Sequence, residues 1–130
     1  MNYGYKKETA LSFEEAVTET KDALATEGFG ILTEIDVKTT LKKKLGVEYD
    51  NYLILGACNP PLANKALQVE KGIGLLLPCN VIVYQGGDRV FISAILPTVA
   101  MNMVENPALV EIAKTAETKL KNVVDTVATL

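Results

Sequence analysis

The sequence predicts an α+β fold in which helices pack on one face of a mainly antiparallel sheet. Apolar segments with the two-residue period of strands alternate with segments of helical period. The turn sequence Gln85-Gly86-Gly87-Asp88 joins two strands as an antiparallel hairpin, and a long amphipathic helix ends the sequence. Together these observations give the order β-α-β-α-β-α-β-β-α, which is typical of a two-layer sandwich.

The first strand and helix follow from local pattern and capping. Residues 2–8 alternate side chains as a half-exposed strand does. Ser12 and Glu15 form a capping box, in which each side chain accepts a backbone amide of the other residue, and a helical apolar stripe follows. Gly28 ends this helix, because glycine readily adopts the left-handed conformation of a helix cap.

A second strand and a short helix come next. The alternation over residues 29–37 predicts two strand faces, one with Ile31, Thr33 and Ile35 and the other with Leu32, Glu34 and Asp36. Asp36 then caps a short helix that stops at Gly46. Its lysines, at positions 42–44, are interpreted as a solvated helix face.

The central elements surround the two cysteines. The continuous apolar run of residues 52–57 predicts a strand buried on both faces, with Cys58 at its end. Asn59-Pro60 begins the next helix, since asparagine caps well and proline suits the first helical position. Residues 69–74, which include Gly72-Ile73-Gly74, are interpreted as a turn rather than a phosphate-binding loop, because the lysine of such a loop is missing.

The last third of the chain predicts a hairpin and two helical segments. Strands over residues 81–84 and 90–95 flank the turn, and residues 97–104 form a short helical segment. Asn106-Pro107 repeats the Asn-Pro start and begins the longest helix, whose apolar residues recur every three or four positions.

Size, composition and charge indicate one soluble globular domain over residues 1–130. The hydrophobic fraction of 48% and the absence of a linker-like stretch fit an ordinary domain of this length. The formal net charge of -3 argues against nucleic-acid binding, which requires clustered cations. Because the sequence shows neither a signal peptide nor an apolar run of about 20 residues, we expect a cytoplasmic protein that does not enter a membrane.

The only two cysteines are the strongest candidates for chemistry. They lie in Ala57-Cys58-Asn59-Pro60 and Pro78-Cys79-Asn80, and the chain has no histidine. We therefore expect the thiols to supply any soft metal ligand or strong nucleophile, and cytoplasmic thiols are normally reduced. Two cysteines cannot complete a four-ligand metal site alone, although two subunits could supply two each.

Each candidate residue also has a purely structural interpretation. Cys58 directly precedes the helix start at Asn59, where the helix dipole favours a thiolate, but free cysteines often serve as small core residues. Asn59 is interpreted mainly as a cap, whereas Asn80 at a strand entrance is a candidate ligand-binding residue. The tyrosines are candidates for lining a pocket: Tyr3, Tyr5, Tyr49, Tyr52 and Tyr84.

Several segments together resemble the domain of unknown function 302 family. The similarity lies in residues 28–37, 40–42, 55–60 and 76–81 and extends over nearly the whole chain. It implies a compact α+β domain with an architecture similar to the TATA-binding protein, commonly dimeric and found in bacteria and archaea. It implies no reaction, and similarity to a DNA-binding architecture is not evidence of DNA binding.

Three functional hypotheses follow, and the sequence does not decide whether the protein is an enzyme. In the first, a homodimer binds a small ligand or soft metal near Cys58 and Cys79, with Glu34, Asp36 and Glu70 as nearby polar residues. In the second, the cysteines form a redox pair, one thiolate attacking and the other resolving a disulfide. In the third, the chain is a structural or interaction module.

Overall fold

A five-stranded antiparallel sheet forms one layer of the protein. The computed structural model describes residues 2–130. The strands are β1 (Gly4–Thr9), β2 (Gly30–Asp36), β3 (Tyr52–Cys58), β4 (Cys79–Gly86) and β5 (Arg89–Ile95). They lie in the order β1-β5-β4-β3-β2, and each strand is antiparallel to its neighbours.

Within residues 2–130, five α-helices and three 3₁₀ segments connect and cover the strands. The helices are α1 (Phe13–Thr26), α2 (Val37–Leu45), α3 (Pro60–Val69), α4 (Pro97–Ala100) and α5 (Val110–Ala128). The 3₁₀ segments are Lys71–Leu76, Met101–Val104 and Pro107–Leu109. The predicted α+β class, the element order and the long C-terminal helix are confirmed. The prediction of a simple turn over residues 69–74 was wrong, because the chain winds into a 3₁₀ helix after an extended Glu70.

The predicted helix caps are present. The Ser12 hydroxyl accepts a hydrogen bond from the Glu15 amide at 3.1 Å, and the Ser12 amide donates to the Glu15 carboxylate at 3.0 Å. Asp36 caps α2 and Asn59 caps α3 in the same way. These bonds satisfy amides that have no partner within the helix, so the sequence sets where each helix begins.

A β-bulge in β2 changes which of its side chains share a face. Ile31 pairs with Ala57, but the register shifts before Thr33, so Leu32 is an extra residue. Ile31 packs against the main core, while Thr33 and Ile35 lie on the opposite face of the sheet. The predicted grouping of Ile31 with Thr33 and Ile35 was therefore wrong, because one inserted residue reverses the alternation.

The core lies between the sheet and the pair of helices α1 and α5. In β4, Val81 and Val83 are fully buried on the helix side, whereas Ile82 and Tyr84 point to the other side. We call that other side the open face. It presents partly exposed apolar side chains from the three central strands: Tyr52, Ile54, Ile82, Tyr84, Phe91 and Ile95.

A second, smaller apolar cluster lies beyond the end of the sheet. It joins α3, α5 and the three 3₁₀ segments, and its buried members are Ala66, Ile73, Met101, Leu109 and Ala113. The two clusters meet where β3 ends and β4 begins. Both cysteines lie at this junction.

Cys79 is part of the main core. It is 9% exposed and packs among the apolar side chains beneath α1 and α5. Burial raises the pKa of its thiol to about 11, since a thiolate loses its hydration there. Cys79 is therefore a protonated, hydrophobic side chain at neutral pH.

Within residues 2–130, no helix has both the length and the apolar character needed to cross a membrane.

The glycine at position 56 gives the first testable prediction. A methyl group there would overlap the Thr33 hydroxyl and approach Cγ of Pro78 to 2.9 Å. We expect Gly56→Ala to lower the free energy of unfolding by about 1–3 kcal/mol in urea denaturation, because overpacking forces the surrounding chain to move. Gly72→Ala is the control, since a methyl group at Gly72 meets open space. Equal stability of the two variants would contradict the close packing of Thr33 and Pro78 around Gly56.

The buried thiol gives the second prediction. Folded Cys79 holds its proton more tightly than the unfolded chain, whose thiol has the ordinary pKa of 9.0. Its contribution to stability is present below pH 9 and is lost as the pH rises toward 11. The advantage of wild type over Cys79→Ala should therefore shrink by about 1–2 kcal/mol between pH 8 and pH 10.5, measured by urea denaturation under reducing conditions. An unchanged advantage would show that the thiol titrates normally.

Candidate functional site

Both cysteines line a single narrow cavity of about 30 Å³, which we call the thiol cavity. In the antiparallel pairing of β3 with β4, Ala57 lies directly opposite Cys79, and Cys58 is the next residue of β3. Cysteines that are far apart in sequence are thus brought to the same end of two adjacent strands.

Local sequence explains why both strands change direction at this point. Asn59 and Pro60 begin α3 directly after Cys58, so β3 cannot continue. Pro78, whose peptide bond with Leu77 is cis, precedes Cys79 at the first position of β4. Two strand ends and one helix start therefore surround the thiols.

The wall of the thiol cavity is almost entirely apolar. Its volume can hold a single water molecule or an ion, but not an organic ligand. Among residues 2–130, its lining includes no titratable side chain besides the two cysteines. The lining residues are Phe29, Ala57, Cys58, Asn59, Leu62, Ala63, Ala66, Leu77, Pro78, Cys79, Met101, Ile112 and Ala116.

The two thiols differ in exposure and are electrostatically coupled. Cys79 is buried, whereas Cys58 is partly exposed. Burial is the main cause of the raised pKa of Cys79, and a negative charge on Cys58 raises it further. The thiols are therefore close enough to influence each other.

Asn59 lines the thiol cavity, but its side chain is engaged in structural hydrogen bonds. Its carbonyl oxygen accepts from the Leu62 amide at 3.2 Å, and its Nδ2 donates to the Glu27 carbonyl at 3.3 Å. Asn59 thus ties the start of α3 to the end of α1, as the capping interpretation requires. Asn80 is exposed and lies opposite Gly56 on the open face, away from the cavity.

The three candidate carboxylates lie elsewhere. Glu34 forms an ion pair with Lys21 of α1, and Asp36 accepts a hydrogen bond from the Thr39 amide at 3.0 Å. Each therefore has a structural partner outside the cavity. Position on β2 explains this, because Gly30 pairs with Cys58 and both carboxylates lie further along the strand.

Glu70 follows α3 and accepts a hydrogen bond from Asn106 Nδ2 at 3.0 Å. That bond ties the end of α3 to the Asn106-Pro107 segment, so Glu70 has a structural partner there. In the part of the chain that the structure describes, no group of three or more His, Cys, Asp or Glu side chains could hold a metal ion.

The tyrosines do not line the thiol cavity. Tyr52 and Tyr84 stack on the open face with ring centroids 5.3 Å apart, and Tyr84 stacks on Phe91 at 5.2 Å. Tyr5 lies on the helix side of β1, where its hydroxyl donates to Asp125 of α5 at 2.8 Å.

Sequence reasoning did not single out Met101, the one sulfur-bearing residue of the cavity wall besides the cysteines. It begins the 3₁₀ segment Met101–Val104 and also borders a larger, mainly apolar cleft of about 480 Å³. The cleft lies between this segment and α5, and its lining includes Asn102, Glu105, Leu109 and Lys114. No sequence motif marks Met101, because only the packing of α4 against α5 brings it near the thiols.

Comparisons with known proteins agree with this architecture. A search of curated proteins found no match to the chain. The crystal structure of an uncharacterized conserved DUF302 protein from Bacillus stearothermophilus is 30% identical in sequence, with a TM-score of 0.92. The similarity covers 98% of this chain and 99% of that one. The family model for the domain of unknown function DUF302 matches residues 5–127, and the chain therefore belongs to the DUF302 family.

Proposed function

We propose that this protein binds a soft metal ion through Cys58 and Cys79. One observation carries the proposal: the two cysteines of the chain line one cavity whose volume suits an ion. A small organic ligand between the thiols is less well supported, because about 30 Å³ leaves no room for one. Thiolates are the side chains that soft metal ions prefer.

The surroundings of the thiols are suited to this role. Metal binding replaces the thiol protons, which leave to solvent, so a buried neutral thiol becomes a thiolate only when the ion arrives. Cys58 directly precedes the amino-terminal cap of α3, where the helix dipole favours the negative charge that coordinated thiolates bring. Cys58 is partly exposed, so at least one of the two ligands can meet an ion from solvent. A reducing cytoplasm would keep both ligands available.

The alternative of a thiol redox pair has weaker support. Both the attacking and the resolving step of disulfide exchange require a thiolate. With its pKa raised to about 11, Cys79 is protonated at neutral pH, which slows either role. Mass spectrometry after mild peroxide separates the two functions, because a redox pair loses two protons in wild type and neither Cys58→Ser nor Cys79→Ser can do so.

We also propose that the chain forms a homodimer through its open face. The helix side of the sheet is covered by α1 and α5, whereas the open face carries a continuous row of partly exposed apolar and aromatic side chains. A second copy of the chain could cover this face by packing sheet against sheet. The dimeric state implied by the family resemblance supports the same arrangement.

Silver titration tests the metal-binding proposal. Ag(I) is a soft ion that needs no change of oxidation state, and we expect the reduced protein to bind one ion per chain. Cys58→Ser and Cys79→Ser should each lose this tight site, since both sulfurs hold the same ion. Isothermal titration calorimetry gives the stoichiometry and affinity.

The two cysteine variants also show which result would contradict the metal-binding proposal. Independent thiols would bind two Ag(I) ions per chain, and each single variant would keep one of them. That result would refute the shared metal site and leave the cysteines with a structural role only.

A charge on the open face tests the dimer. Ile82 lies at its centre, paired with Ile54 and Ser93 of the flanking strands. We expect wild type to have twice the mass of one chain in light scattering after size-exclusion chromatography, and Ile82→Glu to be a monomer. Leu130→Glu adds the same charge at an exposed position beyond α5 and should leave the dimer intact. A monomeric wild type, or a dimer that tolerates Ile82→Glu, would refute the interface.

A further inference from the structure

We propose that the ion at the thiol cavity is Cu(I) and that Met101 supplies a third sulfur ligand. This inference rests on the proposed function and adds the identity of the metal and of a ligand. It follows from which donor atoms the cavity wall contains, from how Met101 is held, and from the charge around the site.

The wall of the cavity offers sulfur donors and little else. Three residues of its lining carry sulfur: Cys58 and Cys79 as thiols and Met101 as a thioether. The one polar side chain beside them, Asn59, has its amide oxygen and nitrogen engaged with Leu62 and Glu27. The available donor set is therefore two thiolates and one thioether.

This donor set selects a soft monovalent ion. Thiolate and thioether ligands favour Cu(I), whereas Mg²⁺ and Ca²⁺ require oxygen ligands. Structural Zn²⁺ sites take four ligands, and the cavity provides three sulfurs. The small size of the cavity also suits a metal ion that keeps no water shell.

Met101 is a fixed part of the wall rather than a mobile surface residue. It is 7% exposed, whereas Met103, two residues later in the same 3₁₀ segment, is 69% exposed. The preceding helix α4 is tied to α5, because the amide and hydroxyl of Thr98 donate to the Glu117 carboxylate at 3.1 Å and 2.6 Å. This anchoring presents Met101 to the cavity before any ion binds, which lowers the cost of binding.

The charge balance is favourable for Cu(I). Binding to two thiols releases two protons to solvent and transfers no electron, so two thiolates and one Cu(I) leave a net charge of about -1. The amino terminus of α3 lies beside Cys58 and favours a negative charge at this position. A divalent ion would leave the site neutral and would gain less from the helix dipole.

The test is an anaerobic titration of the reduced protein with Cu(I) in competition with a chromophoric Cu(I) chelator. We expect one Cu(I) per chain in wild type and no competitive binding in Cys58→Ser or Cys79→Ser. Met101→Leu keeps the size and apolar character of the side chain but removes the sulfur, and it should weaken Cu(I) binding about tenfold or more. Met103→Leu is the matched control and should bind as wild type does.

X-ray absorption at the copper edge counts the sulfur ligands directly and does not rely on affinity. Wild type loaded with Cu(I) should show three sulfur neighbours, and Met101→Leu should show two. Two sulfurs in wild type, or equal affinity of Met101→Leu and wild type, would overturn Met101 as a ligand while leaving the cysteine site intact. Displacement of Cu(I) by equimolar Zn²⁺ would overturn the metal assignment. Cu(I) bound equally well by both cysteine variants would refute the proposed function itself.

Discussion

The antiparallel pairing of β3 with β4 is the constraint on which the rest of the structure depends. It places Ala57 opposite Cys79 and sets Leu55 and Val81 together in the fully buried centre of the core. The same register puts Gly56 on the open face, where Thr33 and Pro78 fill the space that a side chain would need. A slip of one residue would turn the core residues of both strands to the wrong face, so core packing and the thiol cavity are specified together.

The thiol cavity exists because two apolar clusters meet without merging. The main cluster lies under α1 and α5, and the smaller one lies among α3, α5 and the 3₁₀ segments. Cys79 belongs to the first and Met101 to the second, so the three sulfurs come from separate parts of the fold. The ion that we propose for this junction could enter or leave with limited disturbance of either cluster, since its proposed ligands are held by independent packing.

Much of the fold could be predicted because its signals are local. The capping box of Ser12 and Glu15, the Asn59 helix start and the β4–β5 hairpin each depend on residues close in sequence, and each is present. Asn106-Pro107 was predicted to begin the longest helix, but it begins the 3₁₀ segment Pro107–Leu109, and α5 begins at Val110. The site was harder to predict. The two cysteines stood out by chemistry, but the carboxylates Glu34, Asp36 and Glu70 lie with other partners, because their positions depend on strand register and on contacts between distant helices.

The sequence alone therefore determined the element order, the starts of the helices that side chains cap and the identity of the only thiols, because capping, periodicity and composition act within a few residues. Tertiary structure alone decided the bulge at Leu32, the shared cavity of Cys58 and Cys79, and the approach of Met101. These features arise from pairing between strands and from packing of α4 on α5. Such contacts join residues far apart in the chain, and no local pattern encodes which of them will meet.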